Sequence, residues 1–169
     1  IGTVGRLVEK KGIDTLISAL SGVIRDGRKI CLKIAGNGPL ETALKQQVTS
    51  LELTEESVQF VGALPHDQVA KFISGLDVFV LSCKKDSNGD MDGIPVVLME
   101  AMLCEVPVIS TELSGIPELV LNNLSGLTVP PENDMELSKA ICQLMDSSDT
   151  RLRIISGGKQ RVEDEFLLN

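Results

Sequence analysis

Two hydrophobic periods alternate along the chain, and this alternation constrains the fold more than any other feature of the sequence. Leu16, Ile17 and Leu20 recur at the spacing of an amphipathic helix, whereas residues 78–81 form a short unbroken apolar run. Such a run is typical of a parallel strand that helices cover on both faces. The alternation therefore predicts an α/β fold, a doubly wound parallel sheet of about six strands with helices on both faces.

The predicted elements fill the chain as a single domain, residues 1–169, which is long enough to bury a core. Strands are predicted at residues 1–5, 30–35, 58–61, 78–81, 107–110 and 127–129, and helices at 13–24, 39–48, 68–73, 95–104, 117–121, 137–145 and 150–166. Since the chain opens within a predicted strand, we expect it to be part of a longer protein. Ligands of such folds bind beyond the carboxyl ends of the strands, so functional residues are expected in the strand-to-helix loops.

Composition disfavours several classes of partner. The net charge of −8 opposes broad electrostatic attraction to nucleic acids or anionic lipid. With four phenylalanines, no tyrosine and no tryptophan, the chain has few rings on which bases could stack. No apolar run approaches the ~20 residues of a membrane-spanning helix. The four cysteines have no Cys-x-x-Cys spacing, which favours reduced, mostly buried thiols in a cytosolic protein.

The first loop with candidate functional residues covers residues 5–12, between a strand and a helix. Arg6 offers a fork of donors and Lys11 a point charge, and the free amides of the following helix come directly after them. Two cations beside a helix N-terminus form a good binding site for a diphosphate. A solvated basic turn is the alternative interpretation of the same residues.

The second loop, residues 35–39, contains two glycines after the second predicted strand. It resembles part of a dinucleotide-binding fingerprint, but Glu41 stands where the third glycine is needed, and a typical site of that kind follows the first strand. A tight turn explains the glycines equally well. A further loop, residues 114–118, predicts a turn before a helix and nothing more.

The third loop, residues 81–100, leaves the buried strand, crosses a polar stretch and enters a helix near Pro95. Asp92 lies just ahead of that helix, and Glu100 lies about one and a half turns inside it. Each oxygen of a carboxylate can accept one hydroxyl proton, which suits the diol of a ribose or another sugar. The free amides around residues 94–97 suit a phosphate oxygen.

A calcium loop and a solvated acidic loop are the alternatives at this position. Asn88, Asp90, Asp92 and Gly93 match the first, third, fifth and sixth positions of an EF-hand loop. The twelfth position, however, holds Met99 in place of the bidentate glutamate that closes the coordination sphere, and no predicted helix leads into the loop. The pattern therefore disfavours calcium.

Taken together and in this order, the motifs resemble the C-terminal, donor-binding domain of the family-four (group 1) glycosyltransferases, which is the Rossmann-like half of the GT-B fold. The resemblance covers residues 1–166. The motifs that carry it are Gly5-Arg6-Leu7 with Glu9-Lys10-Lys11-Gly12, Ala35-Gly-Asn-Gly-Pro39, Val61-Gly62, Asp77-Val-Phe-Val-Leu-Ser82, Asp92-Gly-Ile-Pro-Val-Val-Leu-Met-Glu-Ala-Met102, Pro107-Val-Ile-Ser110 and Gly115-Ile-Pro-Glu118. The Asp-Gly-Ile-Pro motif of residues 92–95 is similar to that of a subset of the family associated with polysaccharide biosynthesis.

The resemblance implies transfer of a sugar from a nucleotide diphosphate sugar to a hydroxyl acceptor, with retention at the anomeric carbon and without a required metal or other cofactor. Arg6 and Lys11 match the residues that neutralise the donor diphosphate and stabilise the leaving group. Glu100 matches the acid that grips the ribose, and Asp92 matches the acid that faces the donor sugar. Further donor contacts are implied for Gly36, Ser82, Gly93, Ile94, Val96 and Val97.

The resemblance also implies an N-terminal acceptor domain in the same full-length protein, absent from this chain, so we expect the chain to bind a nucleotide sugar without transferring it. The enzyme is expected in the cytoplasm, and contact of the full-length protein with the inner face of the membrane is left open. Two rival functions are kept: a non-catalytic Rossmann-like binding or assembly module and, less favoured, a dinucleotide oxidoreductase.

Two residues depart from the family's pattern. Asp92 replaces a glutamate, so the loop geometry has to make up about 1.5 Å of reach. Glu105 replaces a glycine in the turn before Pro107, where a positive φ would strain the backbone. The single histidine, His66, precedes a predicted helix, and a capping or solvated role is favoured over catalysis.

Overall fold

In a computed structural model, which describes residues 1–167, the chain forms a six-stranded parallel sheet. The strands are β1 (Gly2–Val4), β2 (Leu32–Ala35), β3 (Val58–Gly62), β4 (Phe79–Leu81), β5 (Val108–Thr111) and β6 (Leu127–Val129). Their order across the sheet is β3-β2-β1-β4-β5-β6, and each pair of neighbours is parallel. The predicted doubly wound α/β fold is confirmed.

Helices connect the strands and follow the last of them. They are α1 (Ile13–Arg25), α2 (Glu41–Ser50), α3 (His66–Ser74), α4 (Val96–Leu103), α5 (Ile116–Leu119), α6 (Asp134–Asp146) and α7 (Ser148–Glu165). Predicted and observed ends differ by at most three residues, which is the usual uncertainty at element ends. A short 3-10 helix at Glu9–Lys11 was not predicted, because three residues are too few to display a hydrophobic period.

Apolar side chains cover both faces of the sheet. Helices α1, α2 and α6 contribute to one apolar cluster and α3, α4 and α5 to another, while α7 contributes to both. Strand β4 explains why its apolar run is unbroken: Val80 packs into the first cluster, and Phe79 and Leu81 pack into the second. Each of these three side chains is at most 1% exposed, as predicted for a strand covered on both faces.

The order of the strands creates a crevice at the carboxyl edge of the sheet. From β1 the chain crosses to β2 on one side, whereas from β4 it crosses to β5 on the other side. The loops that follow β1 and β4 therefore diverge, and a ligand can enter between them. These are the two loops in which the sequence predicts the diphosphate-binding and sugar-binding residues.

Two glycines let these loops approach their neighbours closely. Gly12 has a φ of 61°, and a Cβ at this position would lie 1.8 Å from the carbonyl oxygen of Ser82. Gly36 has a φ of 142°, and its Cβ would lie 1.8 Å from the carbonyl oxygen of Gly5. The glycine after β2 therefore serves a close backbone contact with the loop after β1, and no nucleotide is needed to explain it.

The turn between α4 and β5 contains the second departure from the family's pattern. Glu105 has a φ of 59°, so the positive φ considered for this position is present. Its carboxylate accepts a hydrogen bond from Lys159 Nζ at 2.9 Å. A charged side chain thus occupies a left-handed backbone conformation that favours glycine.

Two expectations from composition can be compared with the structure. The thiols are unpaired, but the prediction that they are mostly buried is wrong: Cys83 is buried, and Cys31, Cys104 and Cys142 are partly exposed. Within residues 1–167, no helix combines the length and the apolar character that crossing a bilayer demands.

Candidate functional site

A cavity of about 450 Å³ opens at the carboxyl edge of the sheet, where the loops after β1 and β4 diverge. Its walls come from these two loops, from the first turns of α4 and from the first turn of α3. The lining residues are Val4, Gly5, Lys11, His66, Val69, Asp92, Gly93, Ile94, Pro95, Val96, Val97 and Glu100. Most of the predicted donor-binding residues therefore lie together, although they come from two loops more than 80 positions apart.

Lysines and aspartates form an ion network in one wall of this cavity. Lys11 Nζ lies 2.6 Å from Asp92 Oδ2, and Lys10 Nζ lies 3.3 Å from Asp92 Oδ1. Lys10 Nζ also lies 3.1 Å from Asp90 Oδ2. The side chains of Lys11 and Asp92 are each 18% exposed, so their attraction is screened less than that of a surface pair.

The environment of Asp92 keeps its carboxylate ionised. Burial by itself raises the pKa of Asp92, but the hydrogen bonds and charges of Lys11 and Lys10 outweigh it and hold that pKa below its ordinary value. Beside it, the thiol of Cys83 lies 3.9 Å from Asp92 Oδ2, and burial raises the pKa of this thiol to about 12. Cys83 is therefore neutral and adds no charge to the site.

Helix α4 presents Glu100 and its own first-turn amides to the cavity. Glu100 is the fifth residue of the helix and is partly exposed, while Leu98 and Ala101 are fully buried against the core. The residue before the helix is Pro95, and no side chain within the described residues caps this helix end. The amide of Leu98 donates to the carbonyl oxygen of Pro95 at 3.1 Å, whereas those of residues 96–97 at the start of the helix are available to an oxygen of a ligand.

Three predicted residues do not line the cavity. Arg6 is exposed and lies one residue beyond Gly5, which does line it. Ser82 is 2% exposed, and its hydroxyl donates to the carbonyl oxygen of Gly12 at 2.7 Å. Together with Gly36, Ser82 lies behind the wall and fixes the loop after β1, so a direct contact with a donor stays a prediction for these three residues.

His66 and Val69 line the cavity although the sequence did not single them out as ligand-binding residues. His66 is the first residue of α3 and is exposed, which agrees with the predicted solvated role and not with capping, since Pro65 holds the capping position. Both residues follow β3, two strands away from β1 in the sheet. Only the strand order brings them to Glu100, so no local signal in the sequence could have revealed this.

The carboxylates of the acidic loop, residues 86–92, all have partners within the chain. Asp86 Oδ1 accepts hydrogen bonds from the backbone amides of Asn88 and Asp90, each at 2.9 Å, which closes a local turn. Asp90 and Asp92 face the two lysines. In the part of the chain that the structure describes, no three acidic, histidine or cysteine side chains come together as a metal-binding group.

A second and larger cavity, of about 760 Å³, lies at the opposite edge of the sheet. Its walls include the residues that precede β1, β2, β4 and β5, among them Ile1, Cys31 and Asp77. Size alone would select this cavity. The chemistry selects the smaller one, because parallel α/β sheets bind ligands at the carboxyl ends of their strands and the convergent charged groups lie there.

Comparison with known proteins identifies relatives over nearly the whole chain. The model of the family described as glycosyl transferases group 1 matches residues 1–161. The amylovoran biosynthesis glycosyltransferase AmsK of Erwinia amylovora is 35% identical over 164 residues, which are 97% of this chain and 40% of that protein. A GDP-mannose-dependent monoacylated alpha-(1-6)-phosphatidylinositol monomannoside mannosyltransferase of Corynebacterium glutamicum is 32% identical over 162 residues. The matched region is 95% of this chain and 42% of that protein. The chain thus spans about two fifths of these relatives.

Solved structures share the fold. The C-terminal domain of a group 1 family glycosyl transferase, LpcC of Francisella tularensis, is similar with a TM-score of 0.85 at 20% identity, over 99% of this chain and 87% of that one. HepE of Anabaena in complex with UDP-glucose has a TM-score of 0.84 at 24% identity, over 96% of this chain and 43% of that one. At these identities the likeness establishes the architecture of the sheet and its helices.

Proposed function

Because the chain belongs to the group 1 glycosyl transferases, we propose that it is the donor-binding domain of a retaining enzyme that transfers a sugar from a nucleotide diphosphate sugar to a hydroxyl acceptor. The observation that carries the proposal is the convergence of Lys11, Asp92 and Glu100 in one cavity at the carboxyl edge of the sheet. Two relatives that are 35% identical to the chain are named as an amylovoran and a putative colanic acid biosynthesis glycosyltransferase, and we propose from this that the full-length protein acts in polysaccharide or glycoconjugate assembly.

The proposed chemistry concerns the leaving group. During transfer, the bond between the anomeric carbon and the diphosphate oxygen breaks while a bond from that carbon to the acceptor oxygen forms, and the proton of the acceptor hydroxyl passes to the departing diphosphate. Negative charge accumulates on the diphosphate, and Lys11 supplies a positive charge beside it. Arg6, exposed next to Gly5, adds a bidentate donor from the rim. No residue of the network requires a metal for this role.

The two carboxylates bind the donor at either side of the diphosphate. Glu100, on the rigid first turns of α4, accepts hydrogen bonds from the ribose hydroxyls. Asp92, in the loop ahead of α4, faces the donor sugar. The amides of the first turn of α4 lie between them and bind a phosphate oxygen. The order along the cavity is therefore sugar, diphosphate, ribose.

We also propose that an acceptor domain precedes this domain in the full-length protein. The curated relatives are more than twice as long as the matched region, and catalysis between two domains requires both. The chain 1–169 is then expected to bind the donor without transferring it. The rate of sugar transfer therefore has to be measured on the full-length protein, which includes the proposed acceptor domain.

Thermal unfolding of chain 1–169 with UDP, GDP and ADP tests the binding proposal. A nucleoside diphosphate at a hundredfold over its Kd adds roughly 2.7 kcal/mol of stability to the folded state. We expect one of the three to raise the unfolding temperature, and we expect Lys11→Met to lose most of that increase. Lys139→Met is the matched control, since Lys139 is an exposed lysine of α6 that pairs with Glu136.

Two outcomes would contradict the proposal. If none of the nucleotides stabilises a well-folded sample, the cavity is not a donor site. If Lys11→Met leaves the transfer rate of the full-length protein unchanged, the domain is a binding or assembly module that does not take part in catalysis.

A further inference from the structure

Lys10 is the member of the ion network that the proposed function leaves without a role. It carries an ammonium group 3.3 Å from Asp92 Oδ1, yet it does not line the cavity, whereas Lys11 does. Its side chain is 29% exposed, compared with 18% for Lys11. Asp92 is thus held by one lysine on the cavity side and by another on the outer side.

The outer lysine is itself fixed by the acidic loop. Lys10 Nζ donates to Asp90 Oδ2 at 3.1 Å, and the backbone of Asp90 is tied to Asp86 by two hydrogen bonds of 2.8 and 2.9 Å. The loop is also attached to the 3-10 helix at two further points. Ser87 Oγ donates to Glu9 Oε2 at 3.0 Å, and the amide of Lys84 donates to the carbonyl oxygen of Lys10 at 3.0 Å.

The charges in this network conflict with the proposed role of Lys11. A diphosphate has to draw Lys11 away from Asp92, at least in part, because the two atoms are already 2.6 Å apart. Without a second cation, this would leave a partly buried carboxylate with no partner, which is unfavourable. Lys10 removes that obstacle, since it keeps one oxygen of Asp92 paired while Lys11 turns to the ligand.

We propose that Lys10 is a positioning residue: it holds Asp92 from the outer side of the cavity and thereby leaves Lys11 available to the donor diphosphate. The inference rests on the proposed donor-binding function. It also gives a reason for the aspartate at position 92. The side chain is one methylene shorter than glutamate, and the attachment of its loop to residues 9–11 brings it to both lysines.

A double-mutant cycle on chain 1–169 tests this inference, with UDP and GDP titrated by calorimetry. We expect Lys10→Met to weaken binding of the nucleoside diphosphate about tenfold, and to weaken it less than about twofold when Asp92→Asn is already present. Lys10→Arg keeps the cation and should restore affinity to within about threefold of the unsubstituted chain. Lys139→Met, the matched control, should leave affinity unchanged.

The outcomes separate this inference from the proposed function. If the unsubstituted chain binds neither of these nucleotides nor ADP, the proposed function fails and the role of Lys10 falls with it. If the chain binds but Lys10→Met has no effect, only the inference is overturned. An equal loss in the presence and absence of Asp92 would also overturn it, because Lys10 would then act on the phosphate directly. A loss of folding in Lys10→Met is excluded as a cause by unfolding temperatures measured on the same samples.

Discussion

Asp92 is bridged by two lysines in a position that is only 18% exposed, and its charge state follows from this contact. Burial would favour the neutral acid, while the two ammonium groups favour the anion and dominate. A sequence can show that lysines and aspartates are present, but it cannot show which of them meet. Lys10 and Lys11 are adjacent in the chain, and only the backbone geometry after β1 assigns them to different sides of one carboxylate.

The lowered pKa of Asp92 makes a prediction about stability in acid. A carboxyl whose pKa is lower in the folded state stabilises that state fully above its ordinary pKa of 3.8, and this contribution is lost as the pH falls through the lower, folded-state value. From about pH 6 to about pH 2.5, the free energy of unfolding of Asp92→Asn should therefore fall less than that of the unsubstituted chain. Urea unfolding at a series of pH values measures this, and equal falls in the two proteins would contradict it.

Glu105 allows a test of backbone strain at a single residue. Its φ of 59° costs a residue with a side chain about 1 kcal/mol relative to glycine. Glu105→Gly and Glu105→Ala both lose the ion pair and the hydrogen bond with Lys159, so the difference between the two variants reports mainly on the backbone conformation. We expect Glu105→Gly to be more stable than Glu105→Ala by about 1 kcal/mol in urea unfolding. Equal stabilities would show that the turn is not strained.

At the scale of elements, hydrophobic period predicted the strands and helices well because most of them pack against the core on a regular face. Strand β4 and helix α1 are clear cases, since all of β4 is buried and so are the apolar positions Leu16, Ile17 and Leu20 of α1. The 3-10 helix at Glu9–Lys11 is the counter-example: it has no buried residue, so burial leaves no pattern in its sequence. The 3-10 helix, which presents Lys10 and Lys11, is therefore an element that hydrophobic periodicity could not predict.

The contact between the turn at Gly12 and the start of the loop after strand β4 supplies the prediction at this scale. A Cβ at Gly12 meets the carbonyl oxygen of Ser82, whereas a Cβ at Gly27, which also has a positive φ of 86°, meets nothing within 4 Å. Gly27→Ala should cost about 1 kcal/mol, for the backbone conformation alone. Gly12→Ala should cost at least about 2 kcal/mol more, because the two loops must also move apart. Comparable losses in urea unfolding would contradict the proposed contact.

At the scale of the whole molecule, the fold and most of the candidate site could be predicted because both depend on local signals in a fixed order. Parallel topology brings the ends of β1 and β4 together, so residues of the two loops that carry motifs become neighbours. His66 and Val69 escaped prediction since they reach the cavity from β3, through the strand order and not through a motif. Lys10 was not predicted as a functional residue for a different reason: it lies inside a motif whose diphosphate-binding role was assigned to the adjacent Lys11.

The molecule also has a larger cavity, of about 760 Å³, at the amino edge of the sheet. The proposed function requires that the ligand choose the smaller cavity at the carboxyl edge. Convergent charges and helix amides decide this choice, and volume does not.

The most direct test is nuclear magnetic resonance of the ¹⁵N-labelled chain, whose mass of 18.1 kDa suits the method, titrated with UDP, GDP and ADP. We predict that one of these nucleotides shifts the amide signals of Lys11, of Ile94, Val96 and Val97, and of Glu100, while those of Cys31, Asp77 and Arg151 around the larger cavity stay in place. Shifts confined to the larger cavity, or no shifts with any of the three nucleotides, would contradict the assignment of the donor site.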